Sequence, residues 1–325
     1  MLPVVHRLIQ IDNKVIMTND RQLALIAKMY YIDKVKQNEI AKYFNISSMM
    51  VSRILKEAEN SGIVTFHVKM PWQVDVELSS AVKKEFGLDD CYAFNIHQDE
   101  QLSMRLGSYL ADYFVQLLPK KNAVVGLSWG NTISKFIEAL PYIEVENCSL
   151  IQLTGAFTSV DTTITPTDII NLATKKLNSK LYIINAPLYA GSKEMRDNLM
   201  NDPVNRLIMK MADKSDINII GLSDLSLNAS TCKSGVIDMN DYEELVKLFS
   251  IGDLAGTFLD KEGNPIQWSK SNLNTGASLE RISKAKQVIC VAGETRKLDI
   301  LRKTCGKGYF NVLFTTAALA EGLIK

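Results

Sequence analysis

Between residues 21 and 31 the apolar side chains Leu23, Ile26, Ala27 and Tyr30 recur at steps of three and four, which places them on one face of a helix. A second stretch of this kind covers 37–44, with Ile40, Ala41 and Phe44 inward. A third covers 49–60, where Val51, Ile54, Leu55 and Ala58 form the stripe. Asn45 stands where the chain must turn sharply, and asparagine tolerates the left-handed backbone better than most residues. Ser47 or Ser48 is placed to cap the third helix, Ser61-Gly62 ends it, and 63–70 alternates as a strand would. Pro71-Trp72 marks a boundary, and the amphipathic stretch at 75–86 reads as a connector helix. From Cys91 the pattern changes. Apolar runs at 91–96, 123–127, 149–153, 181–185, 217–221, 287–292 and 311–314 are separated mostly by helical stretches, among them 99–118 and 131–140. Runs this continuous predict strands buried on both faces, hence a mostly parallel sheet covered by helices. The expected fold class is α/β: an N-terminal all-α, winged helix-turn-helix domain over 1–70, a connector over 71–90, and a larger Rossmann-like domain over 91–325.

Composition narrows the function. The net charge of +1 excludes a generic polyanion binder, so contact with nucleic acid has to be local. Residues 21–60 do carry seven Lys or Arg against four acids. The five cysteines form no C-x-x-C pair and read as reduced core residues. The first twenty residues lack the pattern of a signal peptide, and no apolar stretch approaches the roughly 20 residues that cross a bilayer, so the expected location is cytoplasmic. The three histidines, His6, His67 and His97, all precede the strands expected to carry a pocket. Neither a metal site nor a cofactor is expected.

Two helices joined by a tight turn, with a third packed before them, form a helix-turn-helix, whose second helix lies in the major groove. Packing leaves Ser47, Ser48, Met49, Met50, Ser52, Arg53 and Lys56 free to meet DNA, and Arg53 can donate two hydrogen bonds to a guanine. Gln37, at the start of the preceding helix, is placed to meet the phosphate backbone.

The stretch from Val124 to Thr132 takes a buried strand through Gly126, Trp129 and Gly130 straight into a helix that opens on Asn131 and Thr132. Glycines let backbone approach a ligand, and unpaired N–H groups at a helix start suit an anion such as phosphate. Neither the P-loop lysine nor the dinucleotide glycine spacing is present. Other strands end on Thr154-Gly155-Ala156, on Asn185-Ala186-Pro187 and on Gly293-Glu294, with Lys297 one turn further on. In open parallel sheets, ligands sit outside the carboxyl ends of the strands, so these loops should share one crevice. Lys297 can pair with a phosphate, and Asp253 can accept hydrogen bonds from sugar hydroxyls.

Taken in order, these features resemble the SorC/DeoR-type family of sugar-binding transcriptional regulators, over nearly the whole chain from Arg21. The resemblance implies an effector domain similar to the ribose-5-phosphate isomerase and glucosamine-6-phosphate deaminase group, homo-oligomers (dimers or tetramers) on operator DNA, and a phosphorylated sugar as effector. It places Gly130, Asn131, Thr132 and Lys297 at the phosphate and Asp253 at a hydroxyl. Three residues depart from the family pattern. Ala156 replaces the second glycine of one pair, Glu294 the second glycine of another, and Thr154 stands where some members carry a Schiff-base lysine. The expected effector is therefore held non-covalently, and the protein is expected to be a regulator, and a repressor, rather than an enzyme. A sugar-phosphate isomerase or deaminase using Asp224, Asp253 and Glu294, and a regulator with a vestigial pocket that answers to a protein partner, are the alternatives.

Overall fold

The computed structural model of the protein describes residues 19–65, 73–99, 101–156 and 166–325. The chain divides into two compact units, Met1–Pro71 and Trp72–Lys325.

In the smaller unit, α1 (Asn19–Ala27) runs into a wide turn at Lys28–Ile32, followed by α2 (Gln37–Phe44) and α3 (Ser48–Asn60). Asn45 makes the bend between α2 and α3 at φ 52°, ψ 47°, a left-handed conformation. The Ser47 hydroxyl then accepts from the Met50 amide at 3.1 Å, satisfying one of the otherwise unpaired N–H groups at the start of α3. Ile26, Ile40, Val51, Leu55 and Ala58 form a dry core for these helices, with Ile54 half-buried at its edge. Residues 63–65, the start of the expected wing strand, are not in a strand, and 66–70 lie outside the described residues.

In the larger unit, α4 (Val76–Phe86) precedes β1 (Asp90–Phe94), α5 (Leu102–Leu117), β2 (Val124–Leu127), α6 (Asn131–Ala139), β3 (Ser149–Gln152), α7 (Pro166–Leu177) and β4 (Lys180–Tyr182). Then come α8 (Lys193–Asn201), α9 (Pro203–Ala212), β5 (Ile217–Asp224), α10 (Ser230–Lys233), α11 (Met239–Lys247), β6 (Gly252–Leu254) and β7 (Thr257–Leu259). The chain closes through α12 (Leu279–Ile282), β8 (Gln287–Ala292), α13 (Leu298–Thr304), β9 (Val312–Thr316) and α14 (Ala317–Ile324). The helix expected to act as a connector is a packed part of this unit. Val82 of α4 is fully buried, and the Ser79 hydroxyl accepts from the Ala93 amide of β1 at 2.9 Å.

The strands lie in the order β1-β9-β8-β5-β2-β3-β4, every neighbouring pair parallel. Alternate side chains serve two apolar layers. Val288, Cys290 and Leu313 point into one, and Ile289, Val291, Val312 and Phe314 into the other, which is why these strands read as unbroken apolar runs. All five cysteines are free thiols, and Cys91, Cys148, Cys290 and Cys305 are buried. From β2 the chain first builds outward through β3 and β4, then returns to place β5 on the other side of β2. The crevice outside the carboxyl ends of β2 and β5 is the topological switch point, where ligands of open α/β sheets bind. One feature escaped the sequence pattern: β6 pairs antiparallel with the far end of β5, Ser223 opposite Asp253 and Asp224 opposite Gly252, and β7 folds back on β6.

Candidate functional site

At the end of β2, Ser128 is buried; its amide donates to the Ile219 carbonyl at 3.0 Å and its hydroxyl accepts from the Gly221 amide at 3.2 Å. This ties β2 to β5 just below the crevice. Gly130 then turns the chain into α6 at φ 146°, and a β carbon there would meet nothing within 4 Å. Glycine is needed at this position for the backbone conformation, and the space above it is open. Asn131 and Thr132 lie at the start of α6, where both side chains reach the Ser103 hydroxyl of α5, at 3.1 and 3.4 Å.

Three other glycines of the expected site have a different cause. A β carbon on Gly126 would overlap the Asn218 amide oxygen; one on Gly155 would overlap the Thr275 hydroxyl and come within 2.6 Å of Leu188 Cα; one on Gly293 would meet Leu102 at 2.5 Å. Close packing inside the fold, rather than approach to a ligand, accounts for them. Ala156 is likewise engaged through its backbone: its amide donates to the Ala186 carbonyl at 2.9 Å and its carbonyl accepts from Leu188 at 2.8 Å.

Two buried polar atoms near the strand ends have no hydrogen-bond partner among the described residues: the Thr154 hydroxyl and Oδ1 of Asp253. A buried polar group without a hydrogen bond costs about 1–3 kcal/mol, so an orphan of this kind asks for a ligand or a water. The two flank one loop. Asp253 Oδ2 accepts from the Gly256 amide at 3.0 Å, and a β carbon on Gly256 would lie 3.7 Å from the Thr154 methyl. Burial raises the Asp253 pKa to about 7; the Gly256 amide and Lys297 oppose the rise, and Asp224 adds to it. Because the carboxyl binds its proton more tightly folded than unfolded, this residue's contribution to stability falls as pH rises from the ordinary carboxylate range to about 7 and is level above that. Asp253→Asn should remove that slope and leave the protein more stable than the parent at pH 8. Equal melting-temperature differences between variant and parent at pH 5 and pH 8 would contradict this.

Beyond β8, Lys297 is largely buried, with 14% of its side chain exposed, and pairs with Glu294 at 2.9 Å. Arg296 pairs with the same carboxylate at 2.9 Å and with Asp224 at the end of β5. Burial works against ionisation of Glu294, but Lys297 and Arg296 outweigh it and hold its pKa below the ordinary value. Gln98 fixes the backbone here, donating to the Gly293 carbonyl at 2.8 Å and accepting from the Thr295 amide at 3.3 Å. Nothing local in the sequence marks Gln98, Ser103 or Arg296, because each acts on partners remote in the chain or masked by an ordinary surface pattern. The space between Trp129, Gln152, Thr154 and Ile170 is only about 10 Å³. A wider cleft of about 500 Å³ borders the other side of Gly256, lined by Tyr189, Arg196, Trp268 and Asn274. Among the described residues no cluster of His, Cys, Asp and Glu could hold a metal ion, and no helix is long and apolar enough to cross a membrane.

In the smaller unit, the residues expected to meet DNA occupy one end of α3 and its outer face. Met49 is 83% and Met50 45% exposed, and Ser52, Arg53 and Lys56 are exposed beside them. Ser47 is occupied as the cap, while the Ser48 hydroxyl donates to Asn38 Oδ1 at 2.6 Å and fastens α3 to α2. Gln37 is half-buried at the first position of α2.

Residues 71–325 match the family described as "Putative sugar-binding domain". The chain is 23% identical to the erythritol catabolism regulatory protein EryD of Brucella abortus, over 94% of this chain and 97% of that protein. It is also 23% identical to the deoxyribonucleoside regulator of Bacillus subtilis, over 92% and 96%. Its fold matches the crystal structure of the full-length sorbitol operon regulator SorC of Klebsiella pneumoniae with a TM-score of 0.69, at 21% identity, over 94% of this chain and 99% of that one. A DeoR family transcriptional regulator from Listeria monocytogenes matches with a TM-score of 0.70 at 23% identity, over 76% of this chain and 98% of that one.

Proposed function

The chain belongs to the SorC/DeoR-type family of sugar-binding transcriptional regulators, and from that premise we propose that it is a DNA-binding repressor of a carbohydrate operon whose operator affinity is set by a phosphorylated sugar. The observation that carries the sensor half is the orphaned Oδ1 of Asp253, buried across the Gly256 loop from the Thr154 hydroxyl, which likewise has no partner among the described residues. Sugar hydroxyls are donors and acceptors at once and would satisfy both. The open start of α6 at Gly130, Asn131 and Thr132, together with Lys297, supplies the phosphate side. Thr154 cannot form an imine, so the effector is held without a covalent bond. The exposed Met49, Met50, Ser52, Arg53 and Lys56 form the face that reads DNA. Operator binding uses a homo-oligomer, a dimer or tetramer, because paired recognition helices read paired half-sites. The effector acts by binding one quaternary arrangement better than another, and by linkage DNA alters effector affinity to the same degree.

The test is a panel of pentose and hexose phosphates with their unphosphorylated counterparts, read by melting temperature and by release of operator DNA from the full chain. One phosphorylated member should raise the melting temperature, since it binds only the folded state; at a hundredfold excess over its Kd that is worth about 2.7 kcal/mol. The same compound should change operator affinity, and Asp253→Ala should lose both responses. A flat panel would sink this reading.

A further inference from the structure

The lysine that would receive the effector's phosphate already holds a carboxylate, which it shares with the neighbouring Arg296. Oε2 of Glu294 is 2.9 Å from Nζ of Lys297 and 2.9 Å from Arg296. Arg296 is also paired with Asp224 and reaches the Ser226 hydroxyl at 3.3 Å. The positive charges of Lys297 and Arg296 are thus matched by Glu294 and Asp224, and Asp253 adds another acid acting on Lys297. An arriving dianion finds Lys297 and Arg296 already compensated. Exposure separates the partners: the Lys297 side chain is 14% exposed and that of Glu294 41%, so the glutamate lies on the solvent side of a largely buried ammonium. The backbone around it is held by Gln98, so an exchange of partners at this place falls to the glutamate side chain.

Building on the sugar-phosphate reading, we propose that Glu294 is an internal anion that occupies the phosphate position in the empty domain and must swing away when the effector binds. It then determines specificity. Inorganic phosphate offers charge alone and has to displace a tethered competitor. A sugar phosphate brings in addition the hydroxyls that satisfy Asp253 and Thr154, and only the combined contacts complete the exchange. The glutamate makes the sensor deaf to free phosphate.

The experiment measures inorganic phosphate binding to the full chain by calorimetry, for the parent, Glu294→Gln, Glu294→Ala and Glu294→Gln/Lys297→Met. If the carboxylate fills its seat in nine molecules of ten or more, removing it should tighten phosphate binding about tenfold or more, because apparent affinity scales with the competent fraction. Both single variants should show the gain, and Lys297→Met should abolish it. Equal phosphate affinity in parent and both single variants overturns the proposal, as does a gain that survives Lys297→Met. The sugar-phosphate panel on the parent is read separately: a parent that answers to a sugar phosphate while Glu294→Gln gains nothing leaves the sensor reading standing without this inference.

Discussion

Gly252→Ala is expected to destabilise the larger unit by about 3 kcal/mol or more, summing left-handed strain and overpacking. Gly252 sits at φ 138°, where a side chain is strained whatever the space around it. A β carbon there would also overlap the Ser223 carbonyl oxygen and lie 2.9 Å from Asp224 Cα and 3.0 Å from the end of Ile300. The first two are backbone of the paired strand, where Asp224 is in register with Gly252, so neither yields without breaking the β5–β6 pairing. That pairing carries Asp253 to the crevice, and the variant should lose its effector response even where it stays folded. Gly256→Ala is the control: φ there is 82°, but the nearest atom would be 3.7 Å away, ordinary contact. Conformational strain alone predicts about 1–2 kcal/mol. Urea unfolding at constant m-value measures both, and equal midpoint shifts for the two variants would refute the steric argument.

That glycine also marks how far the sequence could be read. The parallel strands were legible because two-sided burial leaves long apolar runs, and 287–292 coincides with β8 to the residue. The turn at Asn45 and a serine cap at Ser47 or Ser48 were legible because a single residue's conformation or hydrogen bond decides each, and the structure gives the cap to Ser47. The β6–β7 hairpin was not: strands of three residues, Gly252–Leu254 and Thr257–Leu259, are too short to show a period, and Asp253 by itself looks like a helix cap. Partners remote in sequence were hidden for the same reason. Gly126 is a glycine because of Asn218, whose amide nitrogen donates to the Ile282 carbonyl at 2.8 Å, and nothing local to Gly126 says so. Arg296 and Asp224 form their pair across neighbouring strands. Glu294 and Lys297 are the instructive intermediate. The sequence singled out Lys297 as a partner for phosphate and Glu294 as a replacement for a family glycine, but only the structure pairs the two and seats the carboxylate on both cations.

Arg53→Ala should weaken binding to a duplex enriched from a random pool by the parent protein roughly tenfold to a hundredfold or more, with specificity relaxed at one base pair, as loss of a bidentate guanine contact predicts. The melting temperature should not move, because Arg53 is exposed on the outer face of α3 while Val51, Leu55 and Ala58 hold the helix to its neighbours. Lys56, one turn further along that face, supplies the comparison. If it meets only phosphate, Lys56→Ala should weaken all duplexes alike and reduce the slope of log affinity against log salt by about 0.9. The two variants therefore separate reading from steering on a single helix. Ser47→Ala adds a second separation: it removes the cap on the Met50 amide, so its effect on DNA should come with a stability loss of about 1 kcal/mol, whereas that of Arg53→Ala should not. Gel-shift titrations of the three variants on the selected duplex and on a scrambled one decide the matter. If Arg53→Ala keeps the parent's affinity and sequence preference, α3 is not the helix that reads the operator.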